Sequence, residues 1–507
     1  MNDFLILLPE VFILITMVGA VLGELGYRGE RIRVGWLTIV FGLVGALLQV
    51  FLIARFGISA GFQGSVKVDG VAVFFKVLAI VLALYAVGSA QLSDEIAQHR
   101  RPEFQILVLG GALALTVLSS ASDLFLIWAC LQLLSVSCGF LAAFGTGSVR
   151  STEAAVKYLV LSVVSGTFLL FGIALLFSAT HSTRLDQIHA ALVAAPLSIQ
   201  AGAMVWLFLL MGLSFYVAAF PFHTWFADAL EGPPTPSSSF ISVATRAGGL
   251  VAWIRVLTQV FGTVEMDSAG PARHWTILGQ FDWTGPMAVL VAFSLLIGPV
   301  LALGQTSGRR MIATLALTEA GFSLLGILVL DQEGLSAVLY SFFVSLVGLM
   351  GALFVLQIFV DRLGSDALNR LRGAFQANVP ESIALVLCLC ALIGLPPMPG
   401  FVGKFALLGS AVDHEWYGLA AAGVAAIALN TLAAGRLIFS LMGGFATQTV
   451  APGSPLVDER VWLPTPARVR GQRLFMGLFL FPLITAAIFS DALFRLLERA
   501  TQGLMFP

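Results

Sequence analysis

Apolar runs succeed one another along this chain with only short polar gaps between them. They lie near 3–23, 34–54, 71–92, 104–120, 123–144, 154–178, 202–230, 238–260, 284–305, 310–330, 335–360, 382–411, 418–444 and 473–496. A helix needs ~20 apolar residues to cross the hydrocarbon of a bilayer, and backbone in lipid must satisfy its own hydrogen bonds. The pattern predicts an all-α, multi-pass membrane protein with about fourteen transmembrane helices. Of 507 residues, 58% are hydrophobic and 11% charged, against ~25% charged in soluble chains. That excludes a water-soluble enzyme. A net charge of −1 offers no basic field for nucleic acid. The first run follows Met-Asn-Asp without a positive leader, so it reads as a retained helix.

Lysine and arginine concentrate on the cytoplasmic side of membrane proteins. With the N-terminus outside, fifteen basic residues fall inside, among them Arg28, Arg100, Arg150, Arg309, Arg362, Arg460 and Arg468. Six fall outside: Arg55, Lys67, Arg184, Arg273, Arg495 and Arg499. Both termini are expected outside an inner (plasma) membrane. The longest polar stretch, about 445–472, is expected inside, and no soluble domain is present.

Two runs are interrupted by prolines, GLSFYVAAFPFHTWFADALEGPPTP at 212–236 and CALIGLPPMPGFVGKFALLG at 390–409. Proline removes a helical hydrogen bond and clashes with the preceding turn. Paired broken helices in two halves of a transporter chain point to repeats with an ion path between them. The expected organisation is a three-helix region at 1–103, two inverted five-helix repeats at 104–260 and 284–444, and a loop with a C-terminal helix at 445–507. Proline kinks that merely aid packing are the alternative.

Charge within these spans is scarce. The chain has four lysines, Lys67, Lys76, Lys157 and Lys404, and three fall inside predicted spans. A charge at the bilayer centre costs at least ~2.5–3.5 kcal/mol, which makes such residues functional candidates. A desolvated amine releases its proton more readily than one in water, whereas arginine stays protonated. Lys157 follows Glu153 by one turn, an available i,i+4 pair. Lys404 follows the second break and His223 lies in the first, where a histidine can titrate near neutrality or serve structure alone. The other intramembrane charges include Glu10, Glu153, Asp228, Arg246, Arg255, Glu319 and Arg436. Lys76 reads equally as a packing residue. Cys130, Cys138, Cys388 and Cys390 read as small packing residues, because residues two apart on a helix face different ways. No phosphate-binding loop, iron–sulfur spacing or dinucleotide fingerprint occurs. Titratable groups in hydrocarbon argue for charge movement, not bond chemistry.

The segments LPEVFIL (8–14), VDGVAVFFKVL (68–78), RSTEAAVKYLVL (150–161), FPFHTWFADALEGPPTP (220–236), LALGQTSGRRMIATLALTEAGF (301–322) and GLPPMPGFVGKF (394–405) resemble the N-type antiporter-like subunit of proton-pumping NADH–quinone oxidoreductase, complex I. The resemblance is collinear over nearly the whole chain. It implies a proton line made by an acid on the fifth helix, a lysine on the seventh, and further lysines on the eighth and twelfth. Here Gln132, Tyr216 and Arg246 replace the first three, while Lys157, His223 and Lys404 are retained. Gln132 cannot ionise, a tyrosine is neutral at working pH, and arginine is locked in its charged form. Glu319 lies nine residues after Arg310, as Gln132 lies nine after Asp123. The acid missing from one half would then be present in the other, unless Glu319 is only a hydrogen-bonded bundle residue.

The proton line is therefore expected to comprise Glu153, Lys157, His223, Arg246, Glu319 and Lys404, with no redox centre in this chain. The resemblance implies that NAD, quinone, FMN and iron–sulfur clusters belong to other subunits of the translocase, and that partners are its other membrane subunits, the lipid bilayer and protons. Alternatives are a pump-deficient structural paralogue, or a subunit of a related hydrogenase or bicarbonate-uptake complex.

Overall fold

The structure, a computed structural model, describes residues 5–26, 31–56, 60–145, 147–266, 273–277, 282–443 and 466–505. Arg28, Arg460 and most of the polar 445–472 stretch lie outside the described residues. Helices α1 (Leu8–Gly26), α2 (Arg31–Phe56) and α3 (Gly70–Leu92) come first. Next are α4 (Arg101–Ser120), α5 (Leu124–Ala142), α6 (Val149–Thr180), the short α7 (Leu185–Ala194), α8 (Ile199–Val217), α9 (Thr224–Glu231) and α10 (Thr235–Val256). The second half holds α11 (Thr284–Leu303), α12 (Gly308–Val329), α13 (Gln332–Leu363), the four-residue α14 (Ala374–Ala377), α15 (Val379–Ile393), α16 (Pro399–Asp413) and α17 (Tyr417–Met442). The chain closes with α18 (Pro466–Ile488) and α19 (Ser490–Met505). Two small antiparallel ribbons, Ala60–Gly61 with Val66–Lys67 and Gly262–Met266 with Arg273–Ile277, lie in connections.

Twelve of the described helices are long and apolar enough to cross a membrane, and Leu8–Leu22 and Val379–Ile393 are shorter apolar helices. Together these account for about fourteen crossings. One boundary differs from expectation. The run at 473–496 is not one span: α18 ends at Ile488, and α19 is a separate amphipathic helix. Asp491, Arg495 and Arg499 are exposed on α19 while Leu497 is buried. A helix with such a charged face lies along a membrane surface and does not cross it.

Three helices form the interior. Every residue of α10 is buried, as is every residue of α12 except Arg310, and α13 is nearly so. Their sequences explain it. Helix association in lipid relies on small residues that allow close approach, and α10 opens with Ser237, Ser238 and Ser239 and continues through Gly248 and Gly249. A Cβ on Gly249 would come within 2.6 Å of Tyr216 Cβ. Helices α2, α17 and α18 instead expose large apolar side chains such as Phe41, Phe439 and Leu474.

Both proline-interrupted runs are broken. Helix α8 stops at Val217, Ala218 adopts a left-handed conformation (φ 60°), and α9 resumes at Thr224 after a cis Phe220–Pro221 bond. Helix α15 stops at Ile393, Gly394 has φ 88°, and α16 begins at Pro399 after a cis Pro396–Pro397 bond.

Candidate functional site

A helix that ends inside the bundle leaves its last carbonyls without backbone donors. At the end of α15 the donor comes from the next half-helix: Lys404 Nζ donates to the carbonyls of Leu392 (2.6 Å) and Ile393 (3.1 Å). A cation is favoured there because a helix C-terminus carries partial negative charge. The turn that allows this is tight. A Cβ on Gly400 would stand 1.9 Å from the Ala391 carbonyl oxygen, so only glycine fits. At the end of α8 the corresponding donor is neutral, since Trp225 Nε1 donates to the Phe215 carbonyl at 3.2 Å.

Lys404 is buried, and its ammonium lies 3.5 Å from Glu319 Oε2 on α12. Glu319 accepts from Ser341 Oγ and Ser345 Oγ on α13, both at 2.7 Å. The Phe322 ring centroid lies 5.0 Å from the ammonium. Each carboxylate oxygen therefore has a hydroxyl donor, and one also faces a cation. The two serines are not evident in the sequence as site residues, although their i,i+4 spacing puts them on one helix face.

Arg246 extends this group toward the first half. Its guanidinium is buried, donates from Nε to the Ser242 carbonyl (2.8 Å) and from Nη1 to the Ala316 carbonyl (3.1 Å), and lies over the Phe226 ring at 4.9 Å. Its Nη2 has no hydrogen-bond partner. A narrow gap lined by Arg246, Glu319, Val217, Leu250, Ser323 and Phe342 lies between them and holds no room for a water. Glu319 is the acid facing Arg246 across that gap, so one carboxylate stands between two cations on different helices.

In the first half, Gln132 Nε2 donates to Tyr216 Oη at 3.1 Å. The two residues expected to replace an acid and a lysine thus meet each other as a neutral pair. Gln132 has little freedom to leave, because Gly166 packs against its amide so closely that a Cβ there would lie 2.0 Å from Nε2.

Lys157 and Glu153 are placed away from this line. Lys157 Nζ bonds Glu153 Oε1 (2.6 Å) and Asp228 Oδ2 (2.7 Å), and its side chain is 44% exposed. Asp228 also pairs with Arg310 Nη1 (3.1 Å), which reaches Glu231 Oε2 (2.8 Å) as well. This cluster joins α6, α9 and the start of α12. Arg310 lies ~13.5 Å before Glu319 on one helix, nine residues at 1.5 Å each. His223 is buried beside Phe220, its Nδ1 has no hydrogen-bond partner, and no bond joins it to Lys404 or Glu319 among the described residues. Lys76 forms a buried ion pair with Glu10 at 2.6 Å, and Arg255 pairs with Asp69 at 2.5 Å. Arg436 donates to the Leu303 carbonyl, outside the line. No group of three or more metal-ligating side chains occurs among the described residues.

Residues 121–430 match the family described as NADH:quinone oxidoreductase/Mrp antiporter, TM. NAD(P)H-quinone oxidoreductase subunit 2 of Synechococcus sp. (strain CC9311) is 32% identical over 414 residues, 80% of this chain and 75% of that protein. NADH-quinone oxidoreductase subunit N of Chlorobium chlorochromatii (strain CaD3) is 29% identical over 409 residues, 80% and 78% of the two chains. A chain of respiratory complex I from Thermus thermophilus superposes with a TM-score of 0.69 at 26% identity, covering 94% of this chain and 98% of that one. A chain of the Mrp complex from Dietzia sp. DQ12-45-1b shares the fold, with a TM-score of 0.80 at 18% identity, covering 100% and 98%.

Proposed function

This chain belongs to the NADH:quinone oxidoreductase/Mrp antiporter family, and from that premise we propose that it is an N-type membrane-arm subunit that moves or gates protons through its second half. The observation that carries this reading is the buried Lys404–Glu319 pair at 3.5 Å, set at a helix break. Residues 104–260 and 284–444 act as two inverted repeats; the acid–lysine pair of the second is buried, whereas that of the first, Lys157 with Glu153 and Asp228, is half-exposed. A proton held on the Lys404 ammonium passes to the Glu319 carboxylate when the pair is dehydrated, leaving a neutral amine and a neutral acid. Wetting of the gap beside Arg246 then lets Glu319 pass the proton on, and Lys404 is recharged from the opposite side. Arg246 takes no part in the transfer. Its fixed positive charge faces the Glu319 carboxylate across the gap.

Glu153, Lys157, Asp228 and Arg310 supply the polar approach to this line, since Arg310 opens the helix that carries Glu319. His223, buried at the first break without a bond on Nδ1, is the point at which the two halves exchange a proton when water enters. NADH oxidation and quinone reduction, with FMN and iron–sulfur clusters, take place in partner subunits, and this chain binds none of those groups.

A second reading, an N-position subunit that assembles but does not conduct, is favoured by the neutral Gln132–Tyr216 pair and the dry gap. Proton uptake by the whole complex in proteoliposomes, measured against NADH oxidation, separates the two. Lys404→Ala lowers protons per NADH if the second half conducts. An assembled Lys404→Ala complex with an unchanged ratio leaves the structural reading standing.

A further inference from the structure

A second site lies away from the proton line, at the end of the bundle where α19 meets the start of α3. There the structure holds a cavity of about 560 Å³ between α2, α3, α13 and α19. Ligand sites typically run ~300–1,000 Å³, mostly apolar with a few placed polar groups, and this one conforms. Its walls include Phe51, Val77, Phe343 and Leu496, and its polar lining is Asp69 and Arg499.

The two charges are not equivalent. Asp69 is already neutralised by Arg255 at 2.5 Å and accepts from the Ala72 amide that begins α3. Arg499 is exposed at the rim of the apolar groove and makes no ion pair among the described residues. Arg55 and Lys67 are next in sequence to Ala54 and Val68 of the lining. The wall formed by α19 is fixed in place: Leu497 is buried, Thr501 Oγ1 bonds Ser336 Oγ at 3.0 Å, and Gly70 packs on the Ala500 backbone.

We infer that this groove binds one acyl chain of an anionic phospholipid, with the headgroup phosphate on Arg499. Size favours an acyl chain over a protein helix. One helical turn, ~10–12 Å wide and ~5.4 Å tall, would take up nearly the whole cavity. A chain of sixteen methylenes, each about as large as a water at ~30 Å³, needs on the order of 500 Å³ and fits along its length. Position favours it too, because the amphipathic α19 marks the level of the headgroups, and guanidinium matches phosphate bidentately. The inference does not depend on proton conduction.

The test uses the purified complex in phosphatidylcholine vesicles containing a phosphatidylglycerol probe with a diazirine near its acyl terminus. Crosslinks are expected in peptides from 70–82 and 490–500, competed by unlabelled phosphatidylglycerol and not by phosphatidylcholine. Arg499→Gln should lower this labelling about tenfold, as for loss of one charged hydrogen bond. Val77→Trp, which fills the groove, should abolish it. Equal competition by both lipids, or labelling unchanged in Arg499→Gln, overturns the inference. So does capture of a neighbouring subunit, in place of lipid, by a photoreactive residue at position 77.

Discussion

Lys404 on α16 and Glu319 on α12 meet at 3.5 Å although α13, α14 and α15 lie between them in the chain, and Lys404 simultaneously caps α15 through the Leu392 and Ile393 carbonyls. The lysine thus has two alternative anchors, a carboxylate and a helix end. Removing the proton from its ammonium weakens both at once, so protonation is tied to the geometry of the break.

Substitution at Lys404 separates a proton carrier from a fixed charge. Lys404→Ala is expected to cut proton translocation at least several-fold in assembled complex. Lys404→Arg should do the same, because arginine does not release its proton. Proton-to-NADH ratios in proteoliposomes give the answer, and full recovery in Lys404→Arg would mean that positive charge alone suffices.

Glu319→Gln retains an acceptor for one of the serines and loses the charge. Breaking one side of a buried pair typically costs ~3–5 kcal/mol, so we expect lowered thermal stability together with lost translocation. Ser341→Ala with Ser345→Ala should reduce translocation less, since Lys404 remains beside the carboxylate. Should Glu319→Gln pump normally, the acid has no part in transfer.

Gly400→Ala tests the break without touching a charge. Its Cβ would meet the Ala391 carbonyl at 1.9 Å, and overpacking of this kind costs ~1–3 kcal/mol. The expected outcome is a lower melting temperature and reduced translocation, through displacement of Lys404 from the end of α15. Unaltered stability and pumping would show that the tight turn is not required.

Installing an acid–lysine pair at positions 132 and 216 of the first half is a gain-of-function test. A lone Gln132→Glu beside Tyr216 buries an uncompensated acid, which stays protonated, so it should leave the proton ratio at the parent value. Gln132→Glu combined with Tyr216→Lys should raise it. If the double variant assembles and the ratio does not move, the first half is blocked by something other than these two residues.

Topology is testable through α19. The native cysteines are buried or half-buried, so single introduced cysteines report cleanly. Arg495→Cys should react with a membrane-impermeant maleimide on intact cells, and Arg468→Cys only after permeabilisation. The reverse pattern would invert the orientation.

Hydrophobic runs, basic-residue bias and two proline clusters were sufficient to read the all-helical membrane fold, the two breaks and the candidate lysine. Those features are local: a span is dictated by the apolar length lipid requires, and a break by proline's missing amide. The failure at 473–496 is also local in origin. An apolar run and an amphipathic helix abut there, and hydrophobicity summed over a window does not distinguish them.

Partnership was not local. Nothing in the sequence says that Glu319 accepts from Ser341 and Ser345, that Gln132 and Tyr216 meet, or that Lys157 faces Asp228 at a half-exposed edge while Lys404 is enclosed. Within hydrocarbon a charge must find its partners across helices, and which helices adjoin is decided by packing of small residues along α10, α12 and α13. The sequence determined which titratable groups lie within the apolar runs. Only the tertiary structure decided which of them stand within reach of one another, because that distance is set by helices that are remote in the chain.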